Sequence, residues 1–497
     1  MSCPCSRREF LGSSLLASLT AAAAPALAGD GGGGASGGGA PRRAPARVRG
    51  AFFYPPAQVV LDGKCEDGWA PQHWFTWPGN QFVPEGEQQW FAGQVRGIAG
   101  GLDVELGLDE APIFTDAGVA AFIAGIEADR PDALLLFQFW NSFSAKVAPI
   151  LDAYDGPVIL YQPVGSNHQL PPARFRGGRR LQYIHSVRNR AALERGLRAV
   201  HAWNRMAKGR LLRVSGRAAE ASEAREPLFG TTLATVPAAE FNALFDGIPG
   251  AGAAAELAAA TRALARNVSG LTDEAFVDAA RAHLAVGEIR RRHGADAVTI
   301  ECLFLGHRKP CLSFALNNGE LKPCGCENDL DATLTLMLGA ALFGRGGFQH
   351  NPDFDLEENL YFGAHCTCTT RLHGPGGEPA VHDLRPFFHQ LPATPALDVQ
   401  WPAGEPATLL KLQSGKHQLD AWQGEVVASP ACPPTGGCAT RVMVRFPGVE
   451  DVCSVYAGPH PALYCGAFGR HALAFSQLYE VPLRTNVAAP ARPAAEG

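Results

Sequence analysis

The feature that most constrains the fold is an alternation of short apolar runs with helical patterns between about residues 48 and 172. The clearest apolar run, residues 133–139, has the length and composition of a strand buried on both faces. A helical pattern over 145–154 and a second apolar run at 157–161 follow it. A strand, a crossover helix and a second strand form a βαβ unit, so the order predicts a doubly wound parallel sheet.

A second unit of the same kind follows. Helices are predicted over 191–208, 253–265 and 273–292, with a strand over 209–214. Beyond residue 295 the pattern mixes helix with strands, and the stretches 440–446 and 453–456 alternate as sheet strands do.

At 497 residues the chain is too long for one hydrophobic core, so we predict several domains. The predicted fold is α/β, with two doubly wound, Rossmann-like parallel-sheet units and a C-terminal mixed α+β domain. The predicted boundaries are a signal peptide over 1–28, a flexible linker over 29–49, and domains over 50–172, 173–294 and 295–490.

The first 28 residues have the features of an export signal. Arg7 and Arg8 precede an apolar stretch at 15–24, and residues 26–28 offer a small-residue cleavage site. The paired arginines within S-R-R-x-F-L resemble the twin-arginine signal of bacteria. We therefore expect passage through the twin-arginine translocon and a soluble protein of the periplasm or cell envelope.

Charge and hydropathy exclude two classes of partner. The net charge is only −5, and no polybasic run interleaves with aromatic residues, which argues against nucleic acid. Past the N-terminus no uninterrupted apolar run is long enough to cross a bilayer.

Acidic and imidazole side chains concentrate between residues 301 and 373. The candidate carboxylates are Glu301, Glu327, Asp329 and Asp353, and the candidate histidine is His365, with a further isolated His471 downstream. Carboxylates with imidazoles favour a divalent ion such as Mn²⁺ or Mg²⁺, without excluding Zn²⁺. Such an ion polarises a carbonyl oxygen, and a neighbouring carboxylate moves a proton between adjacent carbons.

The order of these residues resembles the C-terminal segment of L-arabinose isomerases. The run C-E-N-D-L at 326–330 opens an apolar helix, Asp353 follows, and Y-F-G-A-H closes the pattern at His365. The resemblance implies that Glu327, Asp353, His365 and His471 bind Mn²⁺, with His471 in a G-x-H-type turn before an apolar strand. Glu327 and Asp353 are the implied acid–base pair.

L-fucose isomerases offer a second alignment, because they use a Glu-Asn-Asp motif with an upstream Glu. In that alignment Asp329 and Glu301 become alternative metal ligands. Glu327 and Asp329 also suit a purely structural role, since carboxylates are favoured at a helix N-terminus. A purely structural role is also the alternative for His365.

An upstream stretch, W-N-S-F-S-A-K at 140–146, is similar to the H-T-F-S-P-A-K stretch of arabinose isomerases. It follows a buried strand, at the edge of the sheet where α/β proteins bind ligands. The resemblance implies substrate contacts from Asn141, Phe143 and Lys146, with Asn141 where the family has His.

Together these resemblances imply a divalent-metal-dependent aldose–ketose isomerase-like protein that acts on a sugar or polyol. They also imply assembly as a homotrimer or homohexamer. The alternatives are an exported, non-catalytic carbohydrate-binding relative and a thiolate-metal protein.

The thiolate alternative comes from two C-x-C pairs, Cys324/Cys326 and Cys366/Cys368. Four thiolates could hold Zn²⁺ or an iron–sulfur cluster, or the pairs could form disulfides after export. Cys432 and Cys438, which flank a Pro/Gly loop, are a candidate for a local disulfide.

Overall fold

The computed structural model describes residues 43–62, 64, 83–140, 143–166, 180–387, 394–432 and 437–488. The predicted signal peptide and residues 29–42 of the predicted linker lie outside these residues and remain predictions. The end of the predicted linker, residues 46–49, instead belongs to a strand, Ala46–Phe53.

The first sheet has five parallel strands in the order β2-β1-β3-β4-β5, one of the two common doubly wound orders. Its strands are β1 Ala46–Phe53, β2 Val104–Leu108, β3 Ala133–Gln138, β4 Val158–Pro163 and β5 Leu181–Ser186. Its helices are α1 Ala57–Leu61, α2 Pro84–Gly100, α3 Asp116–Asp129 and α4 Ala148–Ala153, the last after a π-helical turn at Phe143–Val147.

Alternation along the strands covers both faces of this sheet. Phe52 and Phe137 stack at 4.5 Å on one face, where Phe91 of α2 joins them. Phe53 points to the opposite face and meets Phe122 of α3. All six residues of β3 are buried, as a strand covered by helices on both sides requires.

The second sheet has the order β10-β9-β6-β8-β7 and is parallel except for β7, which runs antiparallel to β8. Its strands are β6 Arg210–Ser215, β7 Ser222–Arg225, β8 Thr232–Pro237, β9 Ala297–Ile300 and β10 Cys324–Cys326. The accompanying helices are α5 Arg190–Ala207, α6 Ala238–Gly247, α7 Ala253–Leu264, α8 Asp273–Arg292, α9 Cys311–Gly319 and α10 Leu330–Phe343, with a 3-10 turn at Cys302–Phe304.

The C-terminal part adds an eight-stranded, mainly antiparallel sheet in the order β11-β19-β16-β17-β18-β13-β12, with β20 parallel to β17. Its strands are β11 Phe348–Gln349, β12 Asn351–Asp355, β13 Leu360–His365, β16 Pro406–Gln413, β17 Gln418–Ala428, β18 Thr440–Arg445, β19 Ala462–Cys465 and β20 Leu483–Arg484. A separate hairpin pairs β14 His382–Pro386 with β15 Pro395–Val399, and the last helix is α11 Gly469–Tyr479.

This architecture confirms the predicted multi-domain α/β fold with two parallel-sheet units. The first sheet reaches Ser186, past the boundary predicted at 172, and the second reaches Cys326, past the boundary predicted at 294. Strand pairing sets these limits. β5 is hydrogen-bonded to β4 and so belongs to the first sheet, whereas β9 pairs with β6 and β10 pairs with β9, so both belong to the second sheet.

Two predicted strands are wrong. Residues 453–456 fall largely in a 3-10 turn at Val452–Val455, and the apolar run after His471 belongs to α11. In α11 the buried residues include Ala472, Phe475 and Leu478, a spacing of three that suits one face of a helix. That face of α11 packs against α5, so the apolar run is buried as one side of a helix and not as a strand.

Helix α5 joins the first sheet to the C-terminal part. Its apolar residues belong to one core with α10, α11 and the face of the first sheet that carries Phe52 and Phe137. Trp203 of α5 stacks on Tyr479 with ring centroids 4.2 Å apart and an interplanar angle of 1°. None of the helices in the described ranges is long and apolar enough to cross a membrane.

Replacing Phe137 with alanine tests the packing on the face of the first sheet that meets α2. The ring is fully buried, so Phe137→Ala should lower the free energy of unfolding by about 3–5 kcal/mol. Phe304, whose side chain is 72% exposed, provides the matched control, and Phe304→Ala should change stability by less than about 0.5 kcal/mol. Urea unfolding followed by circular dichroism measures both, and equal losses would contradict this packing.

Candidate functional site

The site lies at the carboxyl edge of the second sheet. Cys326, the last residue of β10, pairs with Ile300, the last residue of β9. Glu327 and Glu301 therefore follow two neighbouring parallel strands at the same edge, where α/β sheets bind ligands.

A tight turn follows β10. Glu327 and Asn328 both have left-handed backbones, with φ of 63° and 55°. Asparagine tolerates this conformation, but for glutamate it costs of order 1–3 kcal/mol. Backbone bonds from Asn328 to Ile300 at 3.1 Å and from Asp329 to Cys326 at 3.2 Å hold the turn, and Arg213 Nε donates to Asn328 Oδ1 at 3.2 Å.

The turn places the Glu327 carboxylate between two imidazoles. Its Oε1 lies 3.8 Å from His365 Nε2, and its Oε2 lies 3.7 Å from His460 Nε2. The two rings are nearly perpendicular, with centroids 5.6 Å apart. Both histidine side chains are buried, whereas 32% of the Glu327 side chain is exposed, so the carboxylate is open to a ligand.

Asp329 has two partners. Its Oδ1 accepts from Ala332 N at 2.8 Å and caps α10, as the structural alternative expected. Its Oδ2 lies 2.9 Å from His460 Nδ1. A carboxylate can only accept, so Nδ1 carries a proton and Nε2 is the nitrogen that faces Glu327. Burial alone would raise the pKa of Asp329, but the bond from His460 and the charge of Lys411 bring this pKa below its usual value.

A polar cleft of about 780 Å³ opens beside Asp329. Its charged lining residues are Asp329, Asp331, Lys411, Lys416 and Arg484. Lys411 is buried and donates from Nζ to Pro459 O at 2.7 Å, next to His460; burial lowers its pKa. The volume lies in the range of small-molecule sites.

Glu301 lies at the same sheet edge but has its own partners. Its Oε2 accepts from Ser215 Oγ at 3.0 Å and from Gly216 N at 2.9 Å, and its Oε1 lies 3.2 Å from Arg217 Nε. Ser215 ends β6, so the carboxylate of Glu301 extends across the ends of β9 and β6.

The structure does not bring Asp353 to the cluster. Asp353 lies on β12 opposite Phe362 of β13, so these two side chains share one face of the sheet. Residues 362 and 365 are three apart on a strand, so His365 points to the other face. Asp353 is exposed, and its Oδ1 accepts from Phe354 N.

His471 is also elsewhere. It lies in α11 against the rings of Phe343 and Phe468, and its Nδ1 has no hydrogen-bond partner in the described part of the chain. Burial, aided by Arg195 and Arg198, lowers the pKa of His471 to about 4. The ring is a neutral packing element.

The residues of the upstream motif belong to the first sheet. Lys146 is buried and forms an ion pair with Asp116 at 2.5 Å, next to α3. Asn141 and the side chain of Phe143 lie outside the described residues. Substrate contacts from this motif remain predictions.

His460 was missed, although the sequence carried a signal for it. Gly458-Pro459-His460 is itself a G-x-H turn, and the buried strand β19 follows it. This position fits the expected imidazole before an apolar strand better than His471 does.

The C-x-C motifs do not bring their four thiols together. Cys368 Sγ accepts from Trp401 Nε1 at 3.4 Å, whereas Cys326 Sγ lies 3.1 Å from Cys302 Sγ. Cys432 Sγ contacts the carbonyl of Cys438, and no disulfide joins any two cysteines of the described ranges. Hydrogen bonds instead pair Cys302 with Cys326 and Cys366 with Cys438.

Three of the donors lie close enough together to hold a metal ion, and His460 is not among them. Ligand atoms of Cys326, Glu327 and His365 lie within 4.8 Å of one another. The 3.7–3.8 Å separations between Glu327 and the two histidines are slightly wider than the roughly 3.3 Å expected for ligands bound tetrahedrally at about 2.0 Å. No model of a known protein family matches this chain, and a search of curated proteins found no match.

Two matched histidine substitutions test this assignment. His460→Gln should weaken divalent-metal binding at least about tenfold, because it removes the second imidazole beside Glu327. His471→Gln should leave metal affinity unchanged. Competition with a chelating dye measures both, and equal effects would contradict the placement of the site.

Acid should destabilise the protein through its buried histidines. Burial lowers the pKa of both His201 and His471 to about 4, whereas an unfolded histidine titrates near 6.5. The unfolded state therefore binds more protons between these values, so stability falls as the pH drops from about 6.5 towards 4.

At pH 5 each of these histidines should cost about 1–2 kcal/mol of unfolding free energy relative to pH 7. Urea unfolding at the two pH values should give a smaller difference for His471→Gln than for the unchanged chain. The exposed His417→Gln is the control, and an unaltered pH dependence in His471→Gln would contradict a neutral, buried ring.

Proposed function

We propose that this chain is a divalent-metal-dependent aldose–ketose isomerase-like protein that acts on a sugar or polyol. The observation that carries the proposal is the position of the Glu327 carboxylate between the Nε2 atoms of His365 and His460, beside a polar cleft. Resemblance to L-fucose and L-arabinose isomerases supports the reaction class.

The proposed metal-binding residues are Glu327, His365 and His460, with Asp329 orienting His460 through its bond to Nδ1. Mn²⁺ is the proposed ion, with Mg²⁺ or another divalent ion as the alternative. When bound, such an ion polarises the carbonyl oxygen of an open-chain sugar.

Acid–base chemistry then falls to carboxylates at the sheet edge. Glu327 is a proposed proton carrier because about a third of its side chain is exposed. Glu301 is the proposed second carboxylate of the acid–base pair, the role that the sequence predicted for Asp353, because it follows the neighbouring strand β9. Lys411 and Asp331, which line the cleft, would bond to sugar hydroxyl groups.

The proposal includes export by the twin-arginine pathway to the periplasm or cell envelope. That pathway carries folded proteins, so the proposed metal site would already be formed before export. Assembly as a homo-oligomer is part of the proposal through the family resemblance alone.

A thiolate-metal protein is the second candidate, favoured by one observation. Cys326 Sγ lies with Glu327 and His365 in a single group of ligand atoms, with Cys302 Sγ at 3.1 Å from it. Thiolate, imidazole and carboxylate together suit Zn²⁺. An exported carbohydrate-binding relative without catalysis is the third.

Replacing Glu327 with glutamine tests the main proposal. Glu327→Gln should lower metal content and reduce ketose formation from aldoses at least about a hundredfold, because both a ligand and a proton carrier are lost. Asp353→Asn, on the opposite face of the sheet, is the control and should retain both.

The measurement is a screen of aldoses for ketose formation with and without Mn²⁺, together with metal analysis of the purified protein. Metal binding and sugar affinity without turnover would favour the carbohydrate-binding relative. Zn²⁺ that is retained in Glu327→Gln but released by thiol alkylation would favour the thiolate protein.

A further inference from the structure

Cysteines adjoin two of the three candidate ligands along the chain. Cys326 immediately precedes Glu327, and Cys366 immediately follows His365. Each has a thiol partner from another segment: Cys302 for Cys326, and Cys438 for Cys366. The described structure therefore places a pair of thiols next to each of these two ligands.

The Cys302–Cys326 pair is the closer to the ligand atoms. Its sulfur atoms are 3.1 Å apart, so a move of about 1 Å reaches the 2.03–2.05 Å of a disulfide. Both residues are buried. Lys309 Nζ donates to Cys302 O at 2.9 Å, and the backbone N–H of Glu327 donates to the Cys302 sulfur. These two bonds hold Cys302 in contact with Cys326.

Cys326 also belongs to the metal-ligand group. Its Sγ and the ligand atoms of Glu327 and His365 lie within 4.8 Å of one another. A Cys326 thiolate would be a soft donor and would favour Zn²⁺ or another thiophilic ion. In a disulfide this sulfur is no longer a thiolate, and the remaining donors are carboxylate and imidazole, which suit Mn²⁺.

We propose that the Cys302–Cys326 dithiol/disulfide couple sets the metal preference of this site. The reduced pair selects a thiophilic ion such as Zn²⁺, and the disulfide leaves a site for Mn²⁺. The inference rests on the proposed metal site and adds a redox control to it.

The oxidation balances with a small-molecule disulfide as oxidant. Two S–H bonds break and one S–S bond forms between Cys302 and Cys326. The two electrons and two protons reduce one oxidised glutathione to two molecules of reduced glutathione. An oxidising compartment beyond the cytoplasm would favour this state.

The experiment uses the full mature chain, stripped of metal and equilibrated with oxidised or reduced glutathione. Peptide mass spectrometry counts the Cys302–Cys326 disulfide, and chelator competition gives the dissociation constants for Zn²⁺ and Mn²⁺. In the unchanged chain, oxidation should weaken Zn²⁺ binding at least about tenfold and leave Mn²⁺ binding the same within about twofold.

Two serine variants separate the roles of the sulfur atoms. Cys302→Ser keeps the Cys326 donor but cannot form the disulfide, so its Zn²⁺ affinity should stay high in both states. Cys326→Ser loses the donor, so its Zn²⁺ affinity should be low in both. Cys311→Ser, another buried thiol of the same region, is the control and should respond to oxidation as the unchanged chain does. Circular dichroism checks that each variant folds, and Cys302→Ala repeats the first test with a second side chain.

Three results would overturn the inference in distinguishable ways. If the disulfide forms and Zn²⁺ affinity does not change, the redox control is wrong while the metal site stands. If no disulfide forms, or if Cys302→Ser still responds to oxidation, the assigned pair is wrong. If neither ion binds in either state, the metal site itself is wrong and the proposed function fails with it.

Discussion

The candidate site depends on two consecutive left-handed residues after β10. Glu327 and Asn328 reverse the chain between a buried strand and the first turn of α10. Without that reversal the chain could not start a helix at Asp329 and still direct the carboxylate of Glu327 at the end of β13. The conformation is costly for glutamate, and two bonds offset that cost: Asn328 N donates to Ile300 O, and Arg213 Nε donates to Asn328 Oδ1.

The polar groups around the turn have different roles: a buried pair holds its position, and one carboxylate faces outward. Asp329 and His460 are largely buried and fix each other through one bond, so neither needs a ligand to be held in place. Glu327 is the member that faces outward, with a third of its side chain exposed. A rigid buried pair behind a more open carboxylate is the arrangement expected where preorganisation matters for binding.

Much of the fold could be predicted from the sequence, because buried parallel strands and amphipathic helices have distinct periods. The helix predicted over 273–292 is observed with those bounds. Glu327 and His365 could be predicted to meet, and they do. Asp353 could not be placed without the strand register, since one residue of shift moves a side chain to the opposite face. His471 depended on the period of a short apolar run, which suits helix and strand alike.

The contact between Cys302 and Cys326 could not be predicted from the sequence. Nothing near Cys302 in the sequence points to Cys326, which lies 24 residues away. Their contact follows from β9 and β10 being neighbours, and strand order is a property of the whole sheet. The C-x-C spacing pointed to Cys326 together with Cys324, Cys366 and Cys368, and gave no sign of Cys302.

The sharing of α5 between distant parts of the chain has a consequence for biosynthesis. Its apolar surface is completed by α11, which is synthesised long after α5. Until then Trp203 and its neighbours have no cover from that side. A nascent chain of this protein must therefore keep one apolar side of α5 uncovered until α11 has left the ribosome.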